Sequence, residues 1–169
     1  EAGVPVFIGE FGCTHFDAPV ARANAERWLD RMLAGMEQHG ISGTLWELSQ
    51  GTSRWNFEDL SLLAPDGTPR PLVDTLKRPR LAALDGELGV VEWDHRSRRY
   101  LLRWFARGEA ATEIALPGAL RFSDLADLQV IGEDEEMDVA LELPNILSVR
   151  ADAYECVEVS FTLPVDKPR

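Results

Sequence analysis

The sequence predicts an α/β unit over residues 1–84, followed by an all-β unit over residues 85–169 built as an antiparallel β-sandwich. Three observations carry this. An apolar run, a helix-length amphipathic stretch and a second apolar run follow one another in the first half. In the second half, apolar and polar residues alternate at period two. The charge balance also changes near Leu84-Asp85-Gly86, from −3 in the first unit to −9 in the second, within a formal net charge of −12.

Val4-Pro5-Val6-Phe7-Ile8 is the continuous apolar run of a parallel strand covered on both faces, with Pro5 tolerated near its start. Glu1-Ala2-Gly3 reads as the tail of a helix stopped by glycine. A helix is predicted from about Pro19 to Gln38, with Asp17 as N-cap, Pro19 in its first turn and Gly40 ending it. Its apolar stripe is Trp28, Leu29, Met32, Leu33 and Met36. Ile41 to Leu48 reads as a second strand. Strand, helix, strand is a βαβ unit, hence a parallel pair with a right-handed crossover. Two strands alone do not make a stable parallel sheet, so partners from outside these residues are expected. Residues 49–71 form a long irregular stretch punctuated by Gly51, Pro65, Gly67, Pro69 and Pro71, and Leu72 to Leu84 reads as a short helix broken at Arg78-Pro79.

In the second unit the inward phases are Val91 and Trp93; Tyr100, Leu102 and Trp104; Thr112, Ile114 and Leu116; Val139, Leu141 and Leu143; and Val157, Val159, Phe161 and Leu163. Turn signals separate them at Asp94-His95-Arg96-Ser97, Gly108-Glu109 and Pro117-Gly118. Glu133, Asp134, Glu135, Glu136 and Asp138 read as a solvated acidic hairpin tip, with calcium binding as the alternative.

Composition narrows the function. The 169 residues are 45% hydrophobic and 27% charged, with no apolar run long enough to span a membrane. The acidic balance leaves no electrostatic footprint for nucleic acid. Cys13 and Cys156 are too few for a disulfide scaffold or a four-ligand zinc site. The opening Glu1-Ala2-Gly3-Val4, without an initiator Met, suggests a piece of a longer protein.

The chemistry points to Glu10. In Gly9-Glu10-Phe11-Gly12 it follows the first apolar run, where α/β barrels place catalytic groups, and the glycines allow a tight bend with room for a ligand. The alternative is a solvated glutamate at a strand end. Trp46-Glu47 ends the second strand on the same side. An indole is a good platform for the apolar face of a sugar, though a rim aromatic would look the same. Glu47 suits sugar hydroxyls or an ion pair with Arg54. His15 lies just past Glu10, where it could touch substrate or simply pack.

These residues bring a resemblance with them. Pro5-Val6-Phe7-Ile8-Gly9-Glu10-Phe11-Gly12, the helix after it and Gly43-Thr44-Leu45-Trp46 resemble strands seven and eight of a glycoside hydrolase family 5 (cellulase-type) (β/α)8 barrel. Leu76-Lys77-Arg78-Pro79-Arg80 and the following sandwich, with Trp93-Asp94, Arg99-Tyr100-Leu101-Leu102-Arg103-Trp104 and Thr112-Glu113-Ile114, resemble the endoglycoceramidase-like branch, whose members cut glycans from ceramide. The resemblance implies that residues 1–84 are the C-terminal part of the barrel and that Glu10 is the nucleophile of a retaining glycosidase. It further implies that Trp46 lines the subsite of the sugar being cleaved, that no metal or cofactor is needed, and that the substrate is a glycoside or glycolipid. Gln50 and Trp55, in the loop from Ser49 to Asn56, are candidates for the aglycone side. The family's acid/base glutamate follows an Asn, and no Asn-Glu pair occurs in this sequence. The chain therefore carries one carboxylate of the pair, is expected to be inactive alone, and needs the remainder of the barrel as partner. The competing reading is a non-catalytic β-sandwich that binds or scaffolds a carbohydrate or lipid surface.

Overall fold

A computed structural model describes residues 4–14, 19–50, 58–132, 137–142 and 145–164. The chain divides into two compact units, Glu1–Lys77 and Arg78–Arg169. The expected helix stop at Glu1-Ala2-Gly3, the Asp17 cap, Leu143 and the acidic residues 133–136 lie outside the described residues.

In the first unit, β1 (Phe7–Phe11) pairs in parallel with β2 (Ser42–Leu45), and α1 (Pro19–Gln38) is the crossover between them. The helix ends as the sequence predicts. Gly40 takes φ +60°, its N–H reaches Glu37 O at 3.1 Å, and Ile41 N–H reaches Met36 O at 2.8 Å. That pair of bonds is the Schellman arrangement, which satisfies carbonyls the helix itself cannot. The buried stripe differs from the expected one: Ala25, Leu29 and Met36 are buried, whereas Trp28 keeps 42% of its surface exposed. Leu29 packs with Ala25, Leu62 and Leu72, and Phe11, Cys13 and Leu45 lean on that cluster.

Three boundaries move, and the first is at β2, which spans Ser42–Leu45 and not Ile41 to Leu48. β1 starts at Phe7, not Val4, and Val4, Val6 and Phe7 are 71%, 57% and 62% exposed. Among the described residues the strand pairs on one edge, with β2, and its first residues are exposed where a fully buried strand would be covered. Beyond a 3₁₀ turn at Pro71–Leu76, the helix expected to Leu84 is replaced by β3 (Arg80–Ala83), which pairs antiparallel with β6 (Thr112–Ala115). Residues 78–84 accordingly go with the second unit. A four-residue Arg-Leu-Ala-Ala stretch has helix-forming composition, and non-local pairing overrides it.

The second unit has two four-stranded antiparallel sheets. One runs β4 (Gly86–Asp94), β5 (Arg99–Ala106), β10 (Cys156–Thr162), β7 (Ala126–Ile131). The other runs β3, β6, β9 (Ile146–Arg150), β8 (Asp138–Glu142). Among the described strands the last in sequence, β10, thus lies between β5 and β7. One core draws on both sheets: Trp93, Tyr100, Leu102, Trp104, Val157, Val159 and Phe161 from the first, Ile114, Leu147 and Val149 from the second. The predicted alternating phases in β4, β5, β6 and β10 are the buried ones, so period-two burial explains why these segments are strands. Strands β7 and β9 were not among the sequence expectations. In β7 Leu128 and Val130 alternate with Asp127 and Gln129 but are only partly buried, and in β9 Ser148 is buried along with Leu147 and Val149.

Candidate active site

The site residues sit at the C-terminal ends of the two parallel strands. The register runs Phe7↔Ser42, Ile8↔Gly43, then Phe11↔Leu45. Two residues of β1, Gly9 and Glu10, therefore oppose one residue of β2, Thr44. This is a bulge, and bulges re-aim side chains and interrupt pairing. Glu10 is the penultimate residue of β1, not the residue after it, and its side chain is exposed. Among the described residues its carboxylate has no hydrogen-bond or ion-pair partner. At the bulge the Thr44 hydroxyl donates to Gly9 O.

Trp46 follows β2 directly and is half-buried. Its N–H donates to Phe11 O at 2.8 Å, which extends the β1–β2 pairing by one step. The Trp46–Glu47 peptide bond is cis. A Cβ on Gly12 would come within 2.2 Å of Trp46 O, so only glycine allows this approach. Gly9 is different: its φ is not positive and a Cβ there would meet nothing within 4 Å, so in this chain the tight fit expected of both flanking glycines is required at Gly12 alone.

Glu47 is held through its backbone. Its N–H reaches Leu60 O at 3.4 Å and its carbonyl accepts Leu62 N–H at 2.9 Å. Its half-buried carboxylate has no partner among the described residues. Beneath this, the buried Ser61 hydroxyl donates to Ser49 O and accepts Leu63 N–H at 3.2 Å. Arg70 pairs with Asp59 at 2.7 Å. Gln50 is exposed, and its amide nitrogen lies against Gly67, whose Cβ would come within 2.8 Å of it. Gln50 thus rests on the turn at residues 64–68. Cys13 is half-buried with its Sγ 3.8 Å from Ala25 O, and burial pushes its thiol up, away from thiolate chemistry. His15, Arg54 and Trp55 lie outside the described residues.

The structure therefore brings Glu10, Trp46 and Glu47 to neighbouring strand ends and sets Gln50 against a turn further on. Thr44 and the steric demand at Gly12 were not singled out from sequence. The available signal was a β-branched hydroxyl residue opposite a Gly-Glu pair. Among the described residues no cluster of three or more His, Cys, Asp or Glu is arranged to hold a metal, and no helix is long and apolar enough to cross a membrane.

Residues 1–52 match the family model described as Cellulase (glycosyl hydrolase family 5). No curated protein matches the chain in sequence. Among solved structures, endo-glycoceramidase II from Rhodococcus sp. is 27% identical, with a TM-score of 0.66 over 97% of this chain and 34% of its own. The same enzyme as a lactosyl-enzyme intermediate is 26% identical, with a TM-score of 0.67 over 96% of this chain and 34% of its own. Cryptococcus neoformans sterylglucosidase 1 is 16% identical, with a TM-score of 0.69 over 94% of this chain and 29% of its own, a likeness of fold. The chain spans about a third of the length of the structures it matches.

Proposed function

We propose that this chain is the C-terminal part of a retaining O-glycosidase: the last two strands of a (β/α)8 barrel followed by a β-sandwich, with Glu10 as the nucleophile. The observation that carries the reading is the juxtaposition of Glu10 and Trp46 at the C-terminal ends of two adjacent parallel strands, inside the segment that matches the family model. An exposed carboxylate without a partner among the described residues is available to attack, and an adjacent indole supplies a sugar platform. The open outer edge of β1 and its exposed Val4, Val6 and Phe7 fit a strand that a further barrel strand would cover.

The reaction needs two carboxyl groups roughly 5–5.5 Å apart. Glu10, ionised, forms a bond to the anomeric carbon as the leaving oxygen departs with its electron pair. A glutamate from the rest of the barrel protonates that oxygen. It then takes a proton from the water that hydrolyses the glycosyl–Glu10 ester, releasing the sugar with its configuration retained. The lactosyl-enzyme intermediate of endo-glycoceramidase II supports a covalent course. The same neighbour's complex with ganglioside GM3 favours glycolipids as the substrate class. Trp46 stacks under the reacting sugar, and Glu47 is placed to accept from its hydroxyls.

The test is Glu10→Gln in the protein that carries the remaining barrel strands, assayed on an aryl glucoside and on a glycosylceramide. A loss of about 10⁴-fold or more in kcat is expected. Unchanged turnover removes Glu10 as nucleophile, and turnover by residues 1–169 alone removes the need for an outside acid/base.

A further inference from the structure

We infer that Thr44 is a positioning residue for the nucleophile, its hydroxyl fixing the peptide plane from which the Glu10 side chain departs; this rests on the reading of Glu10 given above. The argument starts from the register. Between the paired positions Ile8↔Gly43 and Phe11↔Leu45, β1 has one residue more than β2. The extra residue takes the strands out of step at Gly9-Glu10. There the Thr44 hydroxyl donates to Gly9 O.

The carbonyl of Gly9 and the nitrogen of Glu10 belong to one peptide group. Holding that oxygen sets the peptide plane, and with it the direction in which Cα–Cβ of Glu10 leaves the strand. The points on either side are already fixed. A Cβ at Gly43 would come within 2.9 Å of Ile8 O and 2.8 Å of Met36 Cε, so the strands are in close contact just before the bulge. Trp46 N–H holds Phe11 O just after it. A side-chain hydrogen bond spans the bulge, and it lies beside the carboxylate that must reach the anomeric carbon. Nucleophilic displacement tolerates little error in distance and line of approach. Thr44 touches neither sugar nor reacting atoms, and it acts through Gly9.

The experiment uses the protein carrying the complete barrel and a fluorinated deoxyglucoside with a dinitrophenolate leaving group. That group departs without an acid, and the fluorine traps the glycosyl ester. Inactivation rate and inhibitor affinity are measured separately, the adduct is mapped by mass spectrometry, and thermal midpoints are recorded. Thr44→Val keeps the branched shape and removes the hydroxyl; Thr44→Ser keeps the hydroxyl. The expected result is an inactivation rate constant lowered about 10- to 100-fold in Thr44→Val, with inhibitor affinity unchanged and near wild-type rates in Thr44→Ser. Wild-type trapping in Thr44→Val, or an equal loss in Thr44→Ser, overturns the inference. An adduct on any residue other than Glu10 overturns the nucleophile reading itself, whatever the two variants do.

Discussion

Replacing Gly12 by alanine probes how closely the first strand must approach Trp46, the residue proposed as the sugar platform. The added methyl carbon would lie 2.2 Å from Trp46 O and 3.3 Å from its carbonyl carbon, with Leu60 Cβ 3.9 Å away. The atom in the way is backbone, so no side-chain rotation relieves the contact. Restoring an ordinary separation requires Trp46 to move by about 1 Å, and a displacement of that size in a positioning group costs on the order of 10²-fold in rate. That corresponds to about 2.7 kcal/mol of transition-state stabilisation. Trp46 cannot simply drift away, because its N–H is bound to Phe11 O at 2.8 Å. The overpacking itself destabilises the unit by about 1–3 kcal/mol. The assay is kcat/KM on an aryl glucoside in the protein with the complete barrel, alongside its thermal midpoint. A Gly12→Ala variant with wild-type kcat/KM would refute both the close approach and the role given to Trp46.

Two further outcomes are expected in the all-β unit. Gly86 has φ +129° and a Cβ there would lie 1.9 Å from Phe105 O on the paired strand, whereas Gly118, at φ +116°, has nothing within 4 Å. Gly86→Ala should cost about 3 kcal/mol or more, from strain and clash together, and Gly118→Ala only the strain of about 1–3 kcal/mol; equal urea midpoints by circular dichroism would contradict this. At the β4–β5 turn, Asp94 accepts the Ser97 hydroxyl at 2.7 Å and Arg96 N–H at 2.9 Å, bonds that hold its carboxyl below the usual range. A depressed carboxylate stabilises the fold above its unfolded-state value, and the effect is lost as pH falls through the folded one. Ser97→Ala should therefore raise the Asp94 titration point in a nuclear magnetic resonance pH series, and an unmoved titration would show that the serine bond contributes nothing.

What could be read from the sequence was whatever is written in local periodicity. Leu29, Met36 and Gly40 announce α1 and its stop, and Trp93, Tyr100, Leu102, Trp104 and Val157 announce strands whose inward phase is buried. The place of Glu10 and Trp46 near strand ends was legible because each follows an apolar run. The illegible parts depend on partners distant in the chain. Arg80–Ala83 looks helical until β6 pairs with it. Val4-Pro5-Val6 looks like the middle of a strand, yet pairing with β2 starts only at Phe7. The bulge at Gly9-Glu10 is a mismatch of one residue between two strands and has no signature in either strand alone. Trp28 fits the helical period but faces outward, because the stripe that packs is centred on Ala25 and Leu29.

The place of β10 has a consequence for how the protein is made. This strand, Cys156–Thr162, comes after the others described but lies inside its sheet, between β5 and β7. Until it has left the ribosome, β5 and β7 have no common neighbour, and Val157, Val159 and Phe161 are missing from the core that Tyr100, Leu102 and Trp104 share. The all-β unit cannot fold progressively as it is synthesised; it must wait for its final strand and then close non-local pairings together, a slow route that leaves apolar surface exposed meanwhile.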